Sequence, residues 1–173
     1  ETCDPSKEKR IQTAINHRKW VDIASYLGCH SIRTNCRGPR NAPKDKALEW
    51  AADCYKRLLE YAAPAGIGIL IENHGGLSND PDWMVSLFKQ VDNPNFGSYP
   101  DWRGPSREFD NDEYVRKMLP YAGGMSYRNQ PTEEQTAKLI KLCQDSGYRG
   151  WYGIESGGRE QIKRGKTLLE KYL

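Results

Sequence analysis

The chain has 173 residues, sets 26 Lys and Arg against 23 Asp and Glu for a formal net charge of +3, and is 37% hydrophobic, with a mean hydropathy of −0.85. No apolar run approaches the roughly 18 residues a membrane span needs, and so small a positive excess is not the electrostatic footprint of a nucleic-acid binder. The opening stretch is charged and helix-like rather than a secretory signal, and Cys3, Cys29, Cys36, Cys54 and Cys143 show no C-x-x-C spacing, so the expectation is one cytoplasmic domain with reduced thiols.

Helix and strand signals alternate along the whole chain. The first helix is predicted over about residues 6 to 27, with Asp4 as its cap, Pro5 in its first turn and Gly28 at its stop. A short strand follows over Cys29–Cys36, then a Gly/Pro loop and a helix over about 44 to 63 ended by Pro64 and Gly66. Gly66–Asn73 is the clearest strand, apolar on both faces as a buried parallel strand is. Asp80-Pro81 opens a helix to about Val91, a strand is predicted over Asn95–Asp101, and a helix over about 111 to 119. Ala122–Arg128 reads as a fourth strand, and Thr132 with Gln135 forms a capping box for a helix to about Gln144. Gly150–Glu155 is a fifth strand, and a helix over about 159 to 171 closes the chain. The charged runs Lys7–Arg10 and Lys163–Lys166 read as solvated helix faces. Gly157-Gly158, ahead of the last helix, reads as a plain loop rather than a phosphate cradle.

The strands begin near 30, 67, 96, 123 and 151, at intervals of about 37, 29, 27 and 28 residues. Repeated units of this length imply a parallel sheet with right-handed crossovers, either an open doubly wound sheet or a (β/α)₈ barrel. Five units complete the first but not the second, since eight at this spacing need roughly 240 residues.

The polar residues gather at the C-terminal strand ends: Arg33-Thr34-Asn35, Glu72-Asn73-His74, Asp101-Trp102-Arg103, Ser126-Tyr127-Arg128 and Glu155-Ser156. Ligands bind at that edge of parallel α/β folds. A carboxylate closing a strand such as Ile69-Leu70-Ile71-Glu72 needs a partner, because burying it alone costs several kcal/mol on an order-of-magnitude scale. Three strands end so, at Glu72, Asp101 and Glu155. A metal ion or a cationic substrate would serve as partner, and so would the strand-end arginines Arg33, Arg103 and Arg128. Alternation along the strand puts His74 on the face of Glu72. Carboxylate oxygens suit Mg²⁺ or Mn²⁺, and a histidine admixture favours Mn²⁺, Co²⁺ or Zn²⁺.

Ile71-Glu72-Asn73-His74-Gly75-Gly76, Gly97-Ser98-Tyr99-Pro100-Asp101 and Gly153-Ile154-Glu155 resemble the xylose isomerase-like TIM barrels, and more narrowly the sugar phosphate isomerase/epimerase family. Leu27–Arg33 is similar to that family's fourth strand and Leu119–Ala122 to the approach to its seventh. The resemblance runs from about residue 5 to the end. It implies a single partial barrel over residues 1–173, an α/β fold of about five of eight βα units, matching the fourth to eighth. The opening Glu1-Thr2-Cys3 reads as a cut inside a loop, so the first three units are expected from a missing N-terminal portion or from another copy.

The resemblance also implies a site. Glu72, Asp101 and Glu155 stand at metal-ligand positions, with Glu72 and Glu155 doubling as the catalytic acid/base pair. The fourth ligand position, a histidine in the family, is Ser126, and a lysine two residues on is Arg128. Arg33, His74 and Arg128 are expected to hold substrate oxygens, and core packing is the first expectation for Tyr99, Trp102 and Trp151. The implied activity is a divalent metal-dependent (Mn, Mg, Co or Zn) isomerase or epimerase of carbohydrate metabolism, acting on a small-molecule sugar or sugar phosphate without nucleic acid or membrane. A degenerate sugar- or partner-binding domain is the alternative. An endonuclease IV-like nuclease fits less well, because its multi-zinc site is rich in histidine and this chain has only His17, His30 and His74.

Overall fold

The computed structural model describes residues 1–103 and 110–173. In chain order the elements are α1 (Lys7–Tyr26), β1 (Ser31–Asn35), α2 (Lys44–Ala62), β2 (Gly68–Glu72), α3 (Pro81–Val91), β3 (Phe96–Ser98), α4 (Asn111–Met118), β4 (Met125–Tyr127), α5 (Glu133–Asp145), β5 (Tyr152–Ile154) and α6 (Arg159–Tyr172). All strand pairs are parallel. β1–β2–β3 form one sheet with Asn35 opposite Glu72 and Ile71 opposite Ser98, and β4–β5 form a second. Isolated parallel bridges, Ser98 to Ala122 and Asp101 to Ser126, join the two.

The strands therefore follow one another in sequence order across both sheets, and each helix packs on the next, α1 on α2 through to α5 on α6. A doubly wound sheet would reverse strand order and split its helices between two faces. Unbroken order with one helical layer is the wall of a (β/α) barrel, here an arc with five strands among the described residues.

Two clusters fill the space between helices and strands. Tyr55, Leu58 and Leu59 of α2 meet Ile69 and Ile71 of β2 and Met84, Leu87 and Phe88 of α3. Trp102, Met125, Tyr127, Leu139, Ile140 and Cys143 form the second. Trp102 packs edge-on against Tyr127 and Tyr152 at 5.4 and 5.8 Å, whereas Trp151 is 77% exposed and belongs to neither.

Two local expectations need correction. Ser6, not Asp4, caps α1: its hydroxyl accepts from Lys9 N at 3.3 Å, while the Asp4 carboxylate accepts from Ser6 N at 2.9 Å. The helix starts at Lys7, so only residue 6 has the cap geometry. Arg10 is not solvated. It is 8% exposed and shares the buried stripe of α1 with Ala14, Val21 and Ala24, whose steps of four, seven and three residues keep to one face of a helix. Thr132 and Gln135 do form the capping box of α5.

The residues before α1 are fastened to the end of β1. Cys3 N donates to Arg37 O at 2.9 Å, and the sulfurs of Cys3 and Cys36 lie 3.3 Å apart, both buried. Hydrogen bonding between them holds the Cys3 thiol below its ordinary value and raises that of Cys36. A thiol oxidant such as diamide is expected to join this pair before any other. Closing the loop between them should add about 3–4 kcal/mol. Mass spectrometry should then find Cys3 linked to Cys36 and three remaining thiols; a different pairing would contradict the contact. No helix among the described residues is long and apolar enough to cross a membrane.

Candidate active site

The apolar run of β2 carries its end into a protected part of the strand layer, and Glu72 sits there 1% exposed. Asp101, also 1% exposed, is fixed by a reciprocal amide pair: Asp101 N donates to Asn73 Oδ1 at 2.7 Å, and Asn73 Nδ2 donates to Asp101 O at 3.1 Å. The parallel bridge sets Asp101 opposite Ser126. Ser126 and Arg128 share one side of β4, because Tyr127 between them turns to the helix-side cluster. Glu155 follows β5 directly, its backbone N bonded to Tyr127 O at 2.8 Å.

Glu72, Asp101, Ser126, Arg128, Glu155, Arg33 and His74 are thus linked at one edge of the arc. Arg33 Nη2 lies 2.8 Å from Glu72 Oε2, and His74 Nδ1 lies 3.5 Å from the same oxygen. Arg128 Nε donates to Asp101 Oδ1 and its Nη2 to Glu155 Oε1, each at 2.5 Å. Ser126 Oγ donates to Glu155 Oε2 at 2.8 Å. Arg103 Nε stands 3.6 Å from Asp101 Oδ2, and its Nη2 donates to Asn73 O at 2.7 Å. Each carboxylate meets at least one guanidinium. His17 bonds Thr13 O on α1, and His30 precedes β1.

Burial pushes the Glu72 carboxyl above the usual carboxylate range; Arg33 works against this, and the charges of Asp101 and Glu155 reinforce it. Burial likewise raises the Tyr99 hydroxyl, helped by Glu72 and Glu155, and the Tyr99 ring lies against Gly124 and Gly153. Beside His74 a cavity of about 650 Å³ opens between Cys36, Arg37, Arg40, Gly75 and Leu77. A larger one, about 700 Å³, lies against His30, Asp92 and Asn95 and touches none of these acids.

A metal fits part of this set. One ligand atom each from Glu72, His74 and Asp101 lies within 4.8 Å of the other two, and Glu72 Oε2 is buried without a hydrogen bond despite its ion pair. Sequence reasoning assigned no role to Asn73, although a buried amide directly after a strand signals that two backbone groups need it.

Fold and site together define a parallel (β/α) barrel segment with an acid cluster at the C-terminal strand ends. Residues 1–127 match the family model described as "Xylose isomerase-like TIM barrel", and the chain belongs to that family. A "Putative hydroxypyruvate isomerase" from Xenopus laevis is 25% identical over 192 aligned residues, covering 98% of this chain and 68% of that protein. A xylose isomerase-like TIM barrel protein from Mycobacterium smegmatis, solved in complex with magnesium, superposes with a TM-score of 0.72 at 17% identity over 95% of this chain and 68% of its own. A D-tagatose 3-epimerase-like protein gives 0.77 at 18% identity over 96% and 71%.

Proposed function

We propose that this chain carries the acid/base site of a sugar or sugar-phosphate isomerase or epimerase, which moves a proton on carbon next to a carbonyl. The observation that supports it is the gathering of Glu72, Asp101 and Glu155 at the ligand-binding edge of a barrel of this family. Glu72 and Glu155 are the proton-transfer pair, one carboxylate taking the proton and the other group returning it to a neighbouring carbon or the opposite face. The side chain of Glu155 is 43% exposed and reachable by substrate, while Glu72 is buried. A divalent cation on Glu72 and Asp101 would supply Lewis-acid polarisation of the carbonyl. Arg33, part-exposed, holds substrate oxygens, and the part-exposed side chains of His74 and Arg128 border the same space.

The chain forms the fourth to eighth units of one barrel, and the outer edges of β1 and β5 take the missing wall, from leading units or from another copy. The test is solvent deuterium incorporation next to the carbonyl of small ketoses and ketose phosphates, followed by NMR with Mn²⁺. It is run on the chain and on the chain co-expressed with the first three units of a full-length relative. Exchange is expected in the completed barrel, falling about 10²- to 10⁴-fold in Glu155→Gln. No exchange in either preparation would leave a non-catalytic binding domain.

A further inference from the structure

We propose that Arg128 is a built-in counter-ion that withdraws Glu155 from the metal-binding set, so that this chain holds a divalent cation on Glu72, His74 and Asp101. The inference rests on the metal part of the function proposed above and does not depend on turnover.

Arg128 stands between two of the acids. Its Nε bonds Asp101 Oδ1, and its Nη2 bonds Glu155 Oε1. The planar guanidinium presents separate nitrogens in a fixed fork, one to each carboxylate. Ser126 Oγ donates to the other Glu155 oxygen, so both oxygens accept from side chains of β4 and the residue directly after it. The backbone behind Arg128 is also held, since Gln130 Nε2 bonds Arg128 O at 3.0 Å and Trp102 O at 3.1 Å. An ion shared by Asp101 and Glu155 would have to displace a fixed positive charge. It would then still lack a ring nitrogen at position 126, where a serine hydroxyl already donates to Glu155.

The opposite side of Asp101 is arranged differently. Glu72 Oε2 is buried and accepts no hydrogen bond, and it forms with His74 and Asp101 the compact triad. Its ion-pair partner Arg33 has a side chain 46% exposed and can turn to water once the ion replaces its charge beside Glu72. One nitrogen and two carboxylates favour Mn²⁺, Co²⁺ or Zn²⁺ over Mg²⁺. Glu155 is then a carboxylate positioned by Arg128 and free of the ion, which suits a proton acceptor better than a ligand does. In this scheme Arg128 is a positioning residue.

Mn²⁺ titration calorimetry on this chain and on Glu155→Gln, His74→Ala, Arg128→Met and the Glu155→Gln/Arg128→Met double variant tests this. Thermal melts of each check folding, and Arg128→Lys stands in if Arg128→Met does not fold. The expected result is one Mn²⁺ whose affinity changes less than about 3-fold in Glu155→Gln and falls more than about 10-fold in His74→Ala. Arg128→Met should bind more than about 10-fold tighter, and only in that background should Glu155→Gln weaken binding. Paramagnetic broadening should reach the His74 ring protons and spare those of His17 and His30. Binding seen only once Arg128 is removed would overturn the triad as the ion site of this chain. Loss of binding in Glu155→Gln alone, unchanged affinity in Arg128→Met, or no binding by any of these proteins would overturn the proposal. Proton exchange is read separately, so either result leaves the isomerase reading to its own test.

Discussion

Gly97→Ala is expected to lower the melting temperature by about 6–12 °C. Gly97 lies in β3 opposite Leu70. A Cβ there would sit 2.3 Å from the carbonyl oxygen of Tyr121 and 3.3 Å from Leu70 Cδ2. A clash with a flexible side-chain tip is relieved by rotation, but a backbone carbonyl moves only with its segment. That segment is held on three sides. Pro120 stiffens the short 3₁₀ turn Leu119–Tyr121, the Tyr121 ring stacks on Phe88 at 4.8 Å, and Ala122 bridges to Ser98. Overpacking usually costs about 1–3 kcal/mol, and backbone separation at a seam of isolated bridges belongs at or beyond the upper figure. For a chain of this size about 3 kcal/mol corresponds to the shift given above. Asp101 follows Gly97 by four residues, so the same change should loosen the acid cluster. Gly157→Ala is the control: nothing lies within 4 Å of the added carbon, and its effect should stay within about 0.5 kcal/mol. Melts followed by circular dichroism decide the matter, and equal stability of the two variants would mean that β3 and residues 119–122 separate freely.

The elements were legible where local signals agreed. The apolar stretch of β2, the Asp80-Pro81 start of α3 and the capping box of α5 each carry their own physical cause. The later strands were predicted twice as long as they are. β3 stops at Ser98 because Pro100 has no N–H for the ladder, and β4 starts only at Met125, after Gly123 and Gly124. Strand order was beyond the sequence, since the spacing of units is the same in a barrel and in a doubly wound sheet. Family resemblance separated the two, and the consecutive pairing agrees with it. At the site, the strand-end carboxylates and arginines could be read from position alone. Their partners could not, because the bridge that sets Asp101 against Ser126 is a matter of register across the seam. Ser126 illustrates the difference. As sequence it is an absent histidine; in the fold it is a donor fixed on Glu155. Arg10 shows the opposite case: its charged neighbours suggest a solvated face, whereas its spacing to Ala14 and Val21 points inward.

Arg10 carries the second large expected effect. Its Nε donates to Asp53 Oδ2 at 2.8 Å, and its Nη1 donates to the carbonyls of Asp4 and Pro5, each at 2.9 Å. One side chain thereby ties the opening segment, α1 and α2 together. Arg10→Met keeps most of the apolar stem but strands two carbonyls and one carboxylate oxygen. Breaking a buried pair costs about 3–5 kcal/mol. Arg57 still serves Asp53 at 2.8 and 3.0 Å, so a loss of about 2–4 kcal/mol is expected at neutral pH. The pH dependence separates charge from packing. Burial pushes the Asp53 carboxyl up, but hydrogen bonds from Arg57 and Arg10 outweigh it and hold the group below its ordinary value. A carboxylate depressed in the folded state contributes stability above its unfolded pKa, roughly 3.9. That contribution is lost as pH falls through the folded value. Urea melts at pH 7 and near pH 3 should therefore show the gap between wild type and Arg10→Met shrinking on acidification. A gap of the same size at both pH values would assign the whole effect to the lost carbonyl contacts and packing, and would remove the Arg10–Asp53 ion pair from the account of how α1 is held.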